Sequence, residues 1–246
     1  MRRLATLVFA GLSSSLLAGC HAPVAAMLGP AVKGNGVIRA ESRPVVAFGA
    51  LRVEGALQVV YTPGELAPVT ITGDENILPL VVAEVTDGRL LLGFRANTSL
   101  RPTQAVRVAV TAPALDRIAV SGASEVSIPQ RLATPSLTLD LDGAGRLEAT
   151  DLAVTALAVD LGGASRATLG GRGEAVVLKA GGAARLDAAK LAATTARIDL
   201  SGAAHADLSG TGQLTGELSG AAQVQASGRE AAVGVRTSGA AGVRVR

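Results

Sequence analysis

Val120-Ser-Gly-Ala-Ser-Glu-Val126 returns six more times before the chain ends. The copies read Leu141-Asp-Gly-Ala-Gly-Arg-Leu147, Leu161-Gly-Gly-Ala-Ser-Arg-Ala167, Ala180-Gly-Gly-Ala-Ala-Arg-Leu186, Leu200-Ser-Gly-Ala-Ala-His-Ala206, Leu218-Ser-Gly-Ala-Ala-Gln-Val224 and Thr237-Ser-Gly-Ala-Ala-Gly-Val243. Their central glycines, Gly122, Gly143, Gly163, Gly182, Gly202, Gly220 and Gly239, are spaced by 21, 20, 19, 20, 18 and 19 residues. A period near twenty marks a solenoid, because each repeat can bury its apolar face only against the next. A helical solenoid is excluded: an interior glycine costs an α-helix about 1 kcal/mol, and here one recurs in every repeat.

Residues two, four and six before most of these glycines are apolar, as in Leu141, Leu139 and Leu137 or Leu161, Val159 and Leu157. A period of two is a strand with one face inward. A second short strand follows each glycine, as in Leu147-Glu-Ala149. Coils of two or three strands, stacked about 4.8 Å apart, make an all-β chain with the form of a parallel β-helix. Glycine supplies corner angles that a side chain forbids. The next residue is alanine in all seven copies, from Ala123 to Ala240. That invariance predicts a crowded inner corner with room only for a methyl, at which Ala164→Leu or Ala203→Leu overpacks the core and Ser165→Ala is neutral.

The chain opens with Met1-Arg-Arg3, an apolar run from Leu4 to Leu17, and Leu17-Ala-Gly-Cys20. A stretch of fourteen residues is too short to span a bilayer core, which takes about 20, so residues 1–20 read as a cleaved export signal. Its ending resembles the lipobox of bacterial lipoproteins, which implies lipidation of Cys20 and a membrane partner through that lipid. His21, where an aspartate would favour retention, points to the outer membrane. Residues 21–35, with Pro23 and Pro30, read as a tether, and residues 36–246 as one continuous domain. Loss of Arg2 and Arg3 leaves 21 basic residues against 20 acidic ones. A nucleic-acid partner is excluded on that balance. No aromatic residue follows Phe94, so the solenoid lacks stacking platforms for bases or sugar rings. A single cysteine allows no internal disulfide.

The first half alternates over Phe48-Gly-Ala-Leu-Arg-Val-Glu-Gly-Ala-Leu-Gln-Val-Val-Tyr-Thr-Pro-Gly64, with turns at Gly55 and Pro63-Gly64. Strands are expected at 69–73, 80–85, 89–94 and 106–111, a polar loop at 97–104, and one helical turn at 74–78 capped by Asp74 and stopped by Pro79. These segments, with Gly73-Asp-Glu-Asn-Ile-Leu78, Asp87-Gly-Arg-Leu90, Val110-Thr-Ala-Pro113 and Val120-Ser-Gly-Ala-Ser124 in that order, resemble the putative auto-transporter adhesin, head GIN domain family. The resemblance covers most of residues 34–246. It implies an exported right-handed parallel β-helix, often on a lipoprotein, with no catalytic residues. Gln58 departs from it, standing where the family has asparagine.

Two charged columns follow from the repeat. Three residues after the glycines stand Glu125, Arg146, Arg166, Arg185, His205, Gln223 and Gly242. Arg146, Arg166 and Arg185 would stack as an anion-binding ladder for a polyanion such as an acidic envelope polysaccharide, and a surface protein is the other partner considered for the chain. Glu148, Asp187 and Asp207 share that face and would neutralise part of it, which predicts a solvated ladder with no polyanion affinity tighter than about 0.1 mM at physiological salt. Three residues before the glycines stand Asp140, Asp160, Lys179, Asp199, Glu217 and Arg236. Paired carboxylates suit glycoside chemistry or calcium, but Lys179 interrupts the row and the calcium-binding repeat signature is missing. His205 has no serine or cysteine motif beside it, so no triad, cofactor or metal site is expected. The reading is a non-catalytic envelope lipoprotein that binds another surface or serves as a scaffold. The alternative is a polysaccharide-active β-helix enzyme resembling a lyase, which would need long turn insertions that these even spacings lack.

Overall fold

The structure is a computed structural model that describes residues 31–227 and 232–245. The expected export signal, Cys20 and the expected tether up to residue 30 lie outside the described residues. No helix among the described residues is long and apolar enough to cross a membrane. The chain is all-β, a parallel solenoid of about six turns.

Each coil is one nearly continuous ribbon. Arg146–Leu161 carries the pattern eBeBeeBiBeeBeBeB, in which inward and outward residues alternate until two exposed neighbours interrupt them. Those pairs, residues 150–151 and 155–156, are bends, and with the glycine corner they divide the coil into three faces. The first face follows the corner, the second lies between the bends, and the third leads into the next corner. Arg166–Ala180 and Arg185–Leu200 pair in parallel with their predecessors along all three faces. The interior is one apolar cluster running from Phe48 to Ala226.

At the corner every refrain glycine is left-handed, with φ between 64° and 77°. A Cβ on Gly143 would lie 2.9 Å from the Gly122 carbonyl oxygen, and one on Gly163 2.6 Å from that of Gly143. The following amide donates to the preceding coil's glycine carbonyl, Ala144 to Gly122 at 2.8 Å and Ala164 to Gly143 at 2.7 Å. The same bond joins Ala123 to Gly55 at 2.7 Å, so Gly55 is an eighth corner that the even spacing concealed.

The seven corner alanines are exposed, against expectation. The inner corner belongs to the next residue: Ser124, Ser165, Ala184, Ala204 and Ala222 are at most 1 % exposed. Counting in twos runs unbroken through the glycine, from Leu161 to Ser165 and Ala167, and leaves the alanine outside; the contrary expectation rested on the alanines' invariance alone. The expected overpacking at Ala164 and Ala203 therefore moves to Ser165 and Ala204.

The stack begins with a different topology. Leu57–Pro63 pairs in parallel with Val106–Ala112, but Val69–Asp74 joins the latter antiparallel and Ile38–Arg43 joins Val69–Asp74 antiparallel. Ile38–Arg43 was not legible as a strand. It carries Arg39, Glu41 and Arg43, charges that discourage further pairing at an edge. Within the expected tether, Val32–Lys33 is a strand paired with Leu100–Arg101 from the predicted polar loop. The expected helical turn at 74–78 is instead a 3-10 helix over Leu78–Leu80, with Pro79 inside its first positions. There proline's missing N–H costs nothing and its fixed φ suits the turn.

Asp74 ties this end together; its side chain is fully buried and bonds to distant segments instead of capping a helical turn. Its carboxylate accepts from the Gly36 amide at 2.8 Å, the Thr103 amide at 2.8 Å and the Thr103 hydroxyl at 2.6 Å. Hydrogen bonding to the Thr103 hydroxyl, which outweighs burial, holds the carboxyl below its ordinary range.

Candidate binding surface beside the glycine corner

Arg146, Arg166 and Arg185 are direct register partners on three successive coils. Glycine starts each first face at the same phase, so the third residue after it always emerges at the same place. The column continues through Glu125 and Gln58 on one side and His205 and Gln223 on the other. Neighbouring rungs are about 4.8 Å apart. The three arginines are exposed.

Glu148 and Asp187 stand on the same face, two residues along their strands, roughly 6.6 Å away by strand rise. The expected neutralising pairs do not form: among the described residues no carboxylate lies within 4 Å of Arg146, Arg166 or Arg185. Asp207 turns instead to His205, 3.3 Å away. At the other end Glu125 is met by the Gln58 amide at 3.5 Å and Arg107 by the Gln58 oxygen at 3.4 Å, both long for hydrogen bonds. The exposed alanines Ala144, Ala164, Ala183 and Ala203 form the adjoining column. On its other side stands the acidic one, Glu148, Asp187 and Asp207, broken by Thr168.

The second ladder is also in register: Asp140, Asp160, Lys179, Asp199, Glu217 and Arg236 climb the third face in order. Arg236 and Glu217 meet at 3.8 Å in solvent, a pair that contributes little. At its upper end a cleft of about 650 Å³ brings Arg52, Arg89 and Arg117 opposite Asp140, Asp142 and Asp160. Two of its three arginines are paired. Arg117 pairs with Asp140, and Arg52 with Glu54 at 2.6 Å. Among the described residues no three His, Cys, Asp or Glu side chains are grouped to hold a metal ion.

Tyr61 was also unremarked in the sequence. Its hydroxyl donates to the Ala112 and Pro113 carbonyls, and burial pushes its pKa up to about 12. A lone tyrosine in an apolar strand gives no sign of the carbonyls that receive it. Asp74 was equally hidden, because its three donors come from segments 29 to 38 residues away.

A parallel solenoid closed at one end by antiparallel strands, with charged columns rather than a pocket, has the form of a surface-presenting β-helix. The chain belongs to the putative auto-transporter adhesin, head GIN domain family, whose model matches residues 47–229. No curated protein matches it. Solved structures share the fold. A putative adhesin from Bacteroides fragilis is 19% identical, with 87% of this chain and 100% of that chain covered and a TM-score of 0.82. A putative lipid binding protein from Parabacteroides distasonis is 16% identical, covers 88% of this chain and 100% of its own, and has a TM-score of 0.74. A putative adhesin from Parabacteroides merdae is 19% identical over 89% and 100%, with a TM-score of 0.67.

Proposed function

We propose that this protein is a non-catalytic, adhesin-like lipoprotein of the bacterial cell envelope, held by lipid on Cys20 and presenting its solenoid faces to another surface. The observation that carries the adhesin-like part is family membership joined to a surface of repeated exposed columns. The anchor rests on Leu17-Ala-Gly-Cys20 behind a basic and apolar leader. His21 favours the outer membrane over the inner. The lyase reading is weaker, because the even repeat spacings leave no long turn insertions to wall a groove, and in the third-face cleft Arg117 is paired with Asp140 and Arg52 with Glu54. An acyl-chain carrier is also disfavoured: the interior is filled by side chains, and that cleft is lined with charge.

Fractionation of cells expressing the parent and Cys20→Ala tests the anchor. The parent should partition with membranes through high-salt washing, while Cys20→Ala should appear in a soluble or secreted fraction with its body folded. A Cys20→Ala protein that stays membrane-bound in high salt rules the lipid anchor out.

A further inference from the structure

We infer that the first face is a single-file binding track for a linear acidic polysaccharide, with one carboxylate or sulfate on each of Arg146, Arg166 and Arg185. The inference rests on reading the solenoid as a binding surface and deepens it by naming the ligand class.

The three guanidinium groups are in register, exposed and free of carboxylate partners among the described residues. A planar guanidinium presents a fork of donors that matches a carboxylate or sulfate. Repetition at the coil rise of about 4.8 Å demands a ligand that also repeats its charge, as a polyuronate does with one acid per sugar. The columns on either side decide among polyanions. Ala144, Ala164, Ala183 and Ala203 make a low apolar shelf on which the C–H face of a sugar chain can lie, and core packing does not explain their invariance. On the other side Glu148 and Asp187, with Thr168 between them, form an open fence beside the three arginines. That fence repels a broad anionic plane such as a lipid headgroup layer but leaves room for one thin chain. Duplex DNA fits poorly, since each strand repeats its phosphate every 3.4 Å or so and would fall out of phase with the coils. The track is three rungs long. Glu125 ends it on one side, and on the other His205 is already engaged by Asp207.

The test uses the full chain, purified in a non-ionic detergent, and polygalacturonate with its di-, tri- and tetrameric oligomers, measured by calorimetry over a salt series. Affinity should rise steeply to the trimer and little beyond it. Polygalacturonate should bind with a Kd well below 0.1 mM at low salt. The slope of log K against log salt should be about −2, as expected for three released counter-ions. Replacing Arg146, Arg166 and Arg185 together by glutamine should weaken binding by about a hundredfold, roughly fivefold for each arginine lost. The charge-matched control, Arg131, Arg172 and Arg197→Gln on other parts of the surface, should stay within about twofold of the parent. Three results each overturn the inference. They are no binding of polygalacturonate at low salt, equal loss in the control, and tighter binding, at matched charge, to phosphatidylglycerol vesicles or duplex DNA. None of them bears on the anchor, which fractionation reads separately.

Discussion

At the residue scale the corner separates two neighbours that sequence treats alike. Ala203 faces solvent, whereas Ala204 is 1 % exposed. Ala204→Leu should lose about 1–3 kcal/mol by overpacking, and Ala203→Leu should stay within about 0.5 kcal/mol of the parent. Matched urea midpoints for the two variants would place both alanines on the same side of the wall. Ser165 offers a complementary case, because its hydroxyl is buried with no partner. Ser165→Ala should be neutral or gain up to about 1 kcal/mol, since a buried donor without an acceptor is a cost. The alternation of Leu137, Leu139 and Leu141 was legible because strand geometry repeats every two residues. The same count runs on beyond the glycine, from Leu141 to Gly145 and Leu147, but the invariance of the alanine pointed the other way.

The antiparallel end and the bends carry predictions at the scale of elements. Asp74 joins Val69–Asp74 to the chain at Gly36 and Thr103. Its carboxyl is held below the ordinary range, so the fold prefers the charged form. The stability it adds is present above its unfolded pKa and disappears as pH falls through the lowered folded value. Asp74→Asn should therefore melt below the parent at pH 7, with the gap closing as the pH is lowered into that range. A constant gap across the acid series would assign the loss to shape rather than charge. Tyr61 acts at the opposite extreme. Its neutral form is favoured, so the stability it adds is full below about pH 10, the ordinary phenol value, and fades toward pH 12. Tyr61→Phe should remove that alkaline slope. The hairpin of Val81–Thr86 and Arg89–Phe94 was readable from Asp87-Gly88 because two-residue turns are local chemistry. The pairing of Val32–Lys33 with Leu100–Arg101 was not, because two residues among small ones carry no period.

For the whole molecule, stability in a stack of coils is close to a sum of neighbour terms, so thin coils should open first. The core is built from residues such as Leu51, Tyr61, Ile71 and Ile118 near the start, but from Ala204, Ala206, Ala222 and Ala226 near the end. Native-state hydrogen exchange should therefore run fastest in Gln223–Ser227 and His205–Leu218 and slowest around Leu57–Pro63 and Val106–Ala112. Uniform protection along the axis would show that the coils unfold as one unit. The parallel solenoid itself was plain in the sequence, since the refrain states its period. The closing antiparallel strands were less so, because they are used once and repetition cannot announce them. Coil lengths vary from 18 to 21 residues, yet the register slips fall between Ala149 and Leu152, between Thr168 and Gly170, and between Ala188 and Ala193, all around the first bend and second face. There Gly171, at φ 111°, lets its backbone pass the Leu152 carbonyl where a Cβ would come within 2.1 Å, so Gly171→Ala should cost about 2–3 kcal/mol in a melting assay. The glycine corner, by contrast, holds its phase from Gly55 to Gly239. The molecule thus behaves as a measuring scale with its error confined to one side. Residues gained or lost are absorbed on the second face, while graduations beside the corner keep their interval, and a further coil would lengthen the scale without redrawing a mark already on it.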